Sequence, residues 1–264
     1  MKVLWIGATH PRHLYYGNAL NRGYGLCSAL VQQREEMVPQ PPERLIGKDR
    51  ENFINHFRQR DLAEKRHFGV QHLPDCPILK FNVDELNSEK TAEYVRELKA
   101  DVAMIFGCGM IREPLYSALP HDAINMHLGL SPRYRGSATL FWPFYFMEPG
   151  YAGATFHHII SEPDAGEIIH QIVPDMQIDD GIHDIGAKTV ITGAEAAVKL
   201  LKFRDEKGGW TRFKQRGTGK NFLNKDFRPE HLRVIYDIFN DDMVKAYLEG
   251  RLPRRKPKLV SQFN

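Results

Sequence analysis

The chain has 264 residues, 42% of them hydrophobic, and a net charge of +3. That length suits one large domain or one domain with a small appendix, and the composition can bury a real core. So mild a charge gives no ground for nucleic acid as a partner. Three widely spaced cysteines, Cys27, Cys76 and Cys108, offer neither a disulfide framework nor a C-x-x-C pair, which favours a reducing, cytoplasmic setting.

The opening MKVLWIGATH is too short an apolar run for a signal peptide and reads as a strand over 2–7. No stretch approaches the roughly 20 apolar residues of a membrane span. A loop with Thr9, His10, Arg12 and His13 then leads into a helix through about residue 22. G-x-G-x-x-G is absent, so this is no dinucleotide fingerprint. In an open α/β sheet the loop at a strand's carboxyl end faces the ligand crevice. His10, Arg12 and His13 are therefore candidates for holding a phosphate or sugar, against the plainer reading of a solvent-facing loop. A second strand follows over 25–31. Residues 32–69 are dense in charge; Pro39, Pro41 and Pro42 mark a loop, and a helix over 49–66 carries Phe53, Ile54 and Phe57 on one side. Next come a strand over 78–83 and a helix over 89–98, capped by Asn87-Ser88, with Ala92, Val95 and Leu98 at helical spacing. The continuous apolar run 102–106 reads as a central parallel strand. This alternation predicts a doubly wound, Rossmann-like α/β domain with a mostly parallel sheet.

Gly107-Cys108-Gly109-Met110 ends that strand, and two glycines let backbone turn sharply or approach a ligand. The stretch 123–136, AINMHLGLSPRYRG, is the most informative in the chain. Asn125 and His127, two apart at the end of an apolar run, share one face of a strand. Arg133-Tyr134-Arg135-Gly136 follows as a basic, aromatic turn. Strands over 153–160 and 167–173 form a hairpin joined by Ser161-Glu162-Pro163-Asp164-Ala165-Gly166. A carboxamide, an imidazole and a carboxylate on strand ends and loops suit acyl transfer: one donates to an oxyanion, one moves protons, one holds the imidazole's charge. His157, His158 and His170 invite a metal reading, but no ligand spacing accompanies them and no metal is expected. A helix spans 182–203. Beyond it lies a small, partly helical extension with an amphipathic helix over 229–239 and a second over 241–248. The tail RLPRRKPK at 251–258 holds five basic residues. It reads as a solvated terminus whose removal, through residue 264, leaves activity largely intact.

Asn-x-His-x-x-x-Ser-Pro-x-x-x-Gly followed by an Asp-x-Gly loop, carried by Asn125, His127, Ser131, Pro132, Gly136, Asp164 and Gly166, resembles the core of the folate-dependent formyltransferases. The clear match covers 101–173 and extends loosely to the N-terminus and to about residue 200. Related sequences usually read Ser-Leu-Leu-Pro where this one has Gly129-Leu130-Ser131-Pro132. The resemblance implies a catalytic domain over 1–203 with a C-terminal extension over 204–264. It implies Asn125, His127 and Asp164 as the catalytic set and 10-formyltetrahydrofolate as formyl donor. The pterin would lie against Phe106, Gly107, Cys108, Gly109 and Met110 and under the loop of Ser161, Glu162 and Pro163.

Among the members, sugar N-formyltransferases, which add a short C-terminal piece to this core, fit best. The acceptor implied is a nucleotide-linked aminodeoxy sugar, as in lipopolysaccharide O-antigen biosynthesis. The cations for its diphosphate would be His10, Arg12, Arg133, Arg135, Arg216 and Lys220, and Phe222, Tyr134 and Trp142 are options for stacking a base. No membrane or nucleic-acid partner is implied, and a homodimer is left open. A methionyl-tRNA formyltransferase-like enzyme, a formyltetrahydrofolate hydrolase and a nucleic-acid-binding module using the basic tail stand as alternatives.

Overall fold

A computed structural model describes residues 1–33, 38–217 and 219–263; residues 34–37 of the charge-dense stretch lie outside them. In chain order the first half comprises β1 (Val3–Ala8), α1 (Pro11–Gly23), β2 (Ser28–Gln32), α2 (Gly47–Phe68), β3 (Ile78–Phe81), α3 (Glu89–Leu98), β4 (Val102–Phe106), α4 (Leu115–Ala118), β5 (Asp122–His127) and β6 (Tyr134–Gly136). The second half comprises α5 (Trp142–Tyr145), β7 (Ala154–His158), β8 (Ile168–Ile172), α6 (Ile182–Lys207), β9 (Lys220–Phe222) and α7 (Met243–Leu248). Seven strands form one sheet in the order β3-β2-β1-β4-β5-β7-β8; the first five pair in parallel and the last two are antiparallel. This is the Rossmann-like architecture expected from the sequence.

Strands β1 and β4, at the centre of the sheet, are buried on both faces, which is why they read as unbroken apolar runs. Val3 and Trp5 of β1, with Met104 of β4, pack under α1 and α6 through Tyr16, Leu20, Ala197 and Leu200. The alternate residues Leu4, Ile6 and Ile105 pack on the other face against Val95 of α3 and Leu115 of α4. Gly193 lets α6 lie close to the sheet: a Cβ there would stand 2.5 Å from the Met126 sulfur. The chain runs outward from β1 to β3, then returns to place β4 on the other side of β1. Ligand crevices form at the carboxyl ends of strands at such a switch point.

Several elements differ from the sequence expectation. Helix α1 begins at Pro11, whose fixed φ and missing N–H suit a first helical turn, so Arg12 and His13 are helical rather than in a loop. Strand β2 starts three residues later than expected, and α6 continues to Lys207. The amphipathic segment near 229–239 is two short pieces, a 3₁₀ turn at Pro229–His231 and a π-helical turn at Val234–Ile238. Its apolar side joins Phe53 of α2, Trp142 of α5 and Ile185 of α6 in a third cluster.

Residues 251–258 are mostly exposed, as a solvated tail would be, but the residues that follow them are anchored. The Gln171 N–H donates to the Val260 carbonyl, and the Gln262 amide bridges the carbonyls of Ile169 and Thr211. Phe263 packs edge-on against His170, and Phe213 pairs with Ile168 in both directions. Together these residues cover the outer edge of β8, which would otherwise offer unpaired backbone groups.

Candidate active site

Strand β5 carries the chain's most polar inward face into the crevice. Asn125 follows Ile124 and precedes Met126, both of which go to the α1/α6 core, so Asn125 and His127 share the opposite face. Across the sheet, β5 pairs with β7 in a register that sets Asn125 opposite His157. The loop after β7 returns Asp164 to this place, its φ of 51° closing a tight turn.

Asp164 lies between two imidazoles. One carboxylate oxygen is 3.3 Å from His127 Nδ1, the other 3.4 Å from His157 Nε2, and the Gly136 N–H donates to it over 2.9 Å. Gly136 has φ of 86°, and a Cβ there would collide with the Phe222 carbonyl, so only glycine brings this N–H to the carboxylate. Burial pushes the Asp164 carboxyl up, but the His157 contact, the two imidazole charges and the Gly136 N–H outweigh it and hold it at about 2. Asp164 is therefore ionised throughout the physiological range. His127 is buried, and desolvation lowers its pKa against the opposing pull of Asp164.

Asn125, His157, Gly136 and Asp164 line a cleft of about 280 Å³, closed by Cys108, Gly109 and Met110 on one side and by Ser161, Glu162 and Pro163 on the other. Ser137 and the apolar side chains of Ile105, Ile111, Ile159 and Ile160 complete its walls. A flat heteroaromatic ring suits such a slot, with apolar walls for its faces and polar groups at its end. Two backbone groups of the first loop are already engaged: the Gly109 N–H donates to Gln32 over 2.8 Å, and the Met110 carbonyl accepts from Asn87. Phe106 does not reach this cleft. Its ring is buried in the core against His13 and Tyr16, and Gly107 packs its backbone against the His13 ring.

His127 is close to Asp164 but does not line the cleft: its Nε2 is 3.0 Å from the Tyr134 carbonyl. His157 takes that place on the wall. Its Nδ1 lies 2.9 Å from the His158 carbonyl, which assigns the proton to Nδ1 in the neutral ring. Nε2 then accepts from the Asn125 amide at 3.3 Å. Protonation at Nε2 would instead direct a charged donor at Asp164. Sequence reasoning took His157 only as one of three histidines for a metal. The signal that could have found it is its place seven residues before Asp164, on the strand that pairs with Asn125. Among the described residues, no group of three or more His, Cys, Asp or Glu side chains could hold a metal ion.

The six expected cations are not gathered. Arg133 forms a double contact with Glu148 and lies over the Tyr151 ring. Arg135 faces Glu162 at 3.5 Å, at the mouth of the cleft. Lys220 is 3.9 Å from Asp226 and Arg216 is exposed. Arg12 pairs with Glu64 of α2, and His10 stacks on His13. Tyr134, Phe222 and Trp142 stack on one another, with 4.5 Å between the last two, and are buried. They are core rather than a platform for a base.

The model of the formyl transferase family matches residues 41–201, more than half of the chain, and the chain belongs to that family. It is 26% identical to the methionyl-tRNA formyltransferase of Streptococcus uberis over 183 residues, 69% of this chain and 51% of that protein. The chain thus spans about half the length of the relatives it matches. Among solved structures, an N-formyltransferase from Helicobacter canadensis, crystallised with folinic acid and dTDP-3-aminofucose, aligns over 98% of this chain and 84% of its own. The TM-score is 0.57 and the identity 16%. The phosphoribosylglycinamide formyltransferase of Anaplasma phagocytophilum aligns over 84% and 98%, with a TM-score of 0.55 and 17% identity. At these identities the likeness is one of fold.

Proposed function

We propose that this protein transfers the formyl group of 10-formyltetrahydrofolate to the amine of a nucleotide-linked aminodeoxy sugar, with residues 1–203 as the catalytic part and 204–264 as an extension. The observation that carries the formyl-transfer reading is the Asn125, His127, His157 and Asp164 cluster at the end of a ring-sized slot. Asn125 donates its amide N–H to the formyl oxygen as negative charge develops there, a contribution of about 3–4 kcal/mol in comparable oxyanion holes. Asp164, ionised, stabilises an imidazolium on His127 or His157, so the cluster can take the proton that the attacking amine loses. The same cluster returns that proton to the departing folate nitrogen as the C–N bond breaks. The loops Cys108–Met110 and Ser161–Pro163 hold the donor's ring.

The sugar acceptor is supported by the alignment of the Helicobacter canadensis enzyme along 98% of this chain, which includes the segment after α6. Transfer to methionyl-tRNA is the second reading, favoured by the relatives matched in sequence. Incubating the protein and 10-formyltetrahydrofolate with a panel of dTDP-, UDP- and GDP-linked amino sugars and, separately, with charged initiator tRNA, and following folate release, tests both. Release with at least one sugar nucleotide is expected. Release only with charged initiator tRNA would move the assignment to the second reading.

A further inference from the structure

Asn87 stands where the sequence expects a helix cap, but it does not cap α3. That task falls to Ser88, whose side-chain oxygen accepts from the Thr91 N–H over 3.3 Å. The Asn87 side chain turns instead to the loop after β4. Its amide N–H donates to the Met110 carbonyl over 3.0 Å, and its amide oxygen accepts from the Arg112 N–H over 2.8 Å. The two partners differ in kind, a carbonyl and an N–H, so they fix which end of the amide is which. Asn87 is outside the lining of the cleft that holds Asn125, whereas Cys108, Gly109, Met110 and Ile111 form one wall of it. We propose that Asn87 is a positioning residue for the folate donor, which holds this wall in the shape that receives the donor's ring before the ligand arrives. The inference rests on the formyl-transfer reading.

Three features of this contact point to that role. The first is what the loop lacks. Among the described residues, Gly109, Met110 and Ile111 make no backbone–backbone hydrogen bond, so their shape rests on side chains. Gln32 of β2 takes the Gly109 N–H, and Asn87 takes the next two tethers, one on each side of Ile111. The second is that Asn87 is braced from behind. The Glu85 carbonyl accepts from the Ser88 N–H over 3.1 Å and from the Thr91 hydroxyl over 2.8 Å. Leu86 is buried beneath the loop: a Cβ on Gly109 would stand 3.2 Å from its side chain. A mount held in this way presents its amide at a fixed place, and little further freedom is lost when it bridges the loop. The third is placement. Asn87 is half-buried and lies before α3, so it can be changed without opening the core. A ligand that meets a wall already ordered does not bear the cost of ordering it.

Folinic acid binding to the full chain and to its Asn87→Leu and Asn87→Asp variants, by calorimetry and stopped-flow fluorescence, tests the assignment. Asn87→Leu keeps the size and removes both hydrogen bonds. Asn87→Asp keeps an acceptor for the Arg112 N–H, removes the donor to Met110, and serves alone if Asn87→Leu does not fold. A loop that spends a smaller fraction of its time in the receiving shape lowers the apparent affinity by that fraction. The loss then lies in association, because the bound complex keeps all its contacts to the ligand. Asn87→Leu should bind folinic acid about tenfold or more weakly, with slower association and an unchanged dissociation rate. Asn87→Asp should lose affinity by the same route. A residue that served only stability would lower the melting temperature of the free protein and leave association alone, and that result overturns the proposal. So does a loss carried by faster dissociation, which would make Asn87 a ligand contact. Parent-like binding in both variants, with the parent binding folinic acid, overturns this inference and leaves the formyl-transfer reading standing. A parent that binds no folinic acid overturns both.

Discussion

At the scale of single residues, the proposed chemistry turns on one carboxylate shared by two imidazoles. Asp164 is the charge that works against desolvation at His127. The Asp164→Asn variant should therefore lose about two orders of magnitude or more in turnover. Its remaining activity should also carry a shifted pH profile. In the parent, the acidic limb of kcat/KM due to His127 lies below pH 6.5, because burial lowers that group. Without the Asp164 charge it falls further, so the limb in Asp164→Asn should move to lower pH. A limb that stays put or moves up would remove His127 from the proton path. His157 calls for a separate test, since it lines the cleft and touches both Asn125 and Asp164. His157→Phe keeps a ring of similar size but removes both the acceptor for Asn125 and the second proton site. Turnover should fall by about tenfold or more, with folinic acid affinity little changed. Normal turnover would reduce His157 to packing.

At the scale of elements, the segment after α6 reaches back to the candidate site. The Gln215 side chain donates to the carbonyls of Asp164 and Gly166, over 2.7 and 2.9 Å, and so holds the loop that carries Asp164. Thr211, four residues earlier, is fixed by Gln262 of the tail. Gln215→Ala should therefore lower turnover more than it lowers the melting temperature; an unchanged turnover would mean the loop holds itself. Deleting residues 259–264 should cost stability, because these residues, unlike the mostly exposed 251–258, are anchored on β8. Several backbone and amide hydrogen bonds along β8 are lost, each worth about 0.5–1.5 kcal/mol. Their sum corresponds to a fall of several degrees in Tm, on the order of 2–4 °C per kcal/mol for a chain of this size. The sequence made the strands, α3 and the Asn125/His127/Asp164 set legible because those signals are local: apolar runs, helical spacing and a motif. Gln215 and Gln262 were not legible, because each matters only through a partner dozens of residues away, and His157 was not, because its role appears only once the β5–β7 register sets it opposite Asn125. Arg133 and Lys220 misled because their charges are taken up by nearby carboxylates, Glu148 and Asp226.

At the scale of the whole molecule, burial of neutral histidines ties stability to pH. Desolvation holds His56 at about 3, His158 and His170 at about 4, and His183 well below its usual 6.5. In the unfolded chain all four titrate near 6.5. Between that pH and about 4 the unfolded state binds protons that the folded state refuses, so stability present above pH 6.5 is lost as pH falls. Asp241 works the other way. Burial raises its carboxyl to about 6, so its contribution is present below the ordinary carboxylate range and is lost as pH rises through 6. Asp164, held at about 2, adds a further loss only in stronger acid. Near pH 5 the lowered histidines outnumber Asp241, and unfolding should take up protons. The urea midpoint should thus be lower at pH 5 than at pH 7, with an unchanged m-value. His56 offers an internal control: in His56→Gln the midpoint should depend less steeply on pH, by about one proton. A midpoint that does not fall between pH 7 and 5, or a slope unaffected by His56→Gln, would mean that these histidines accept protons in the folded state.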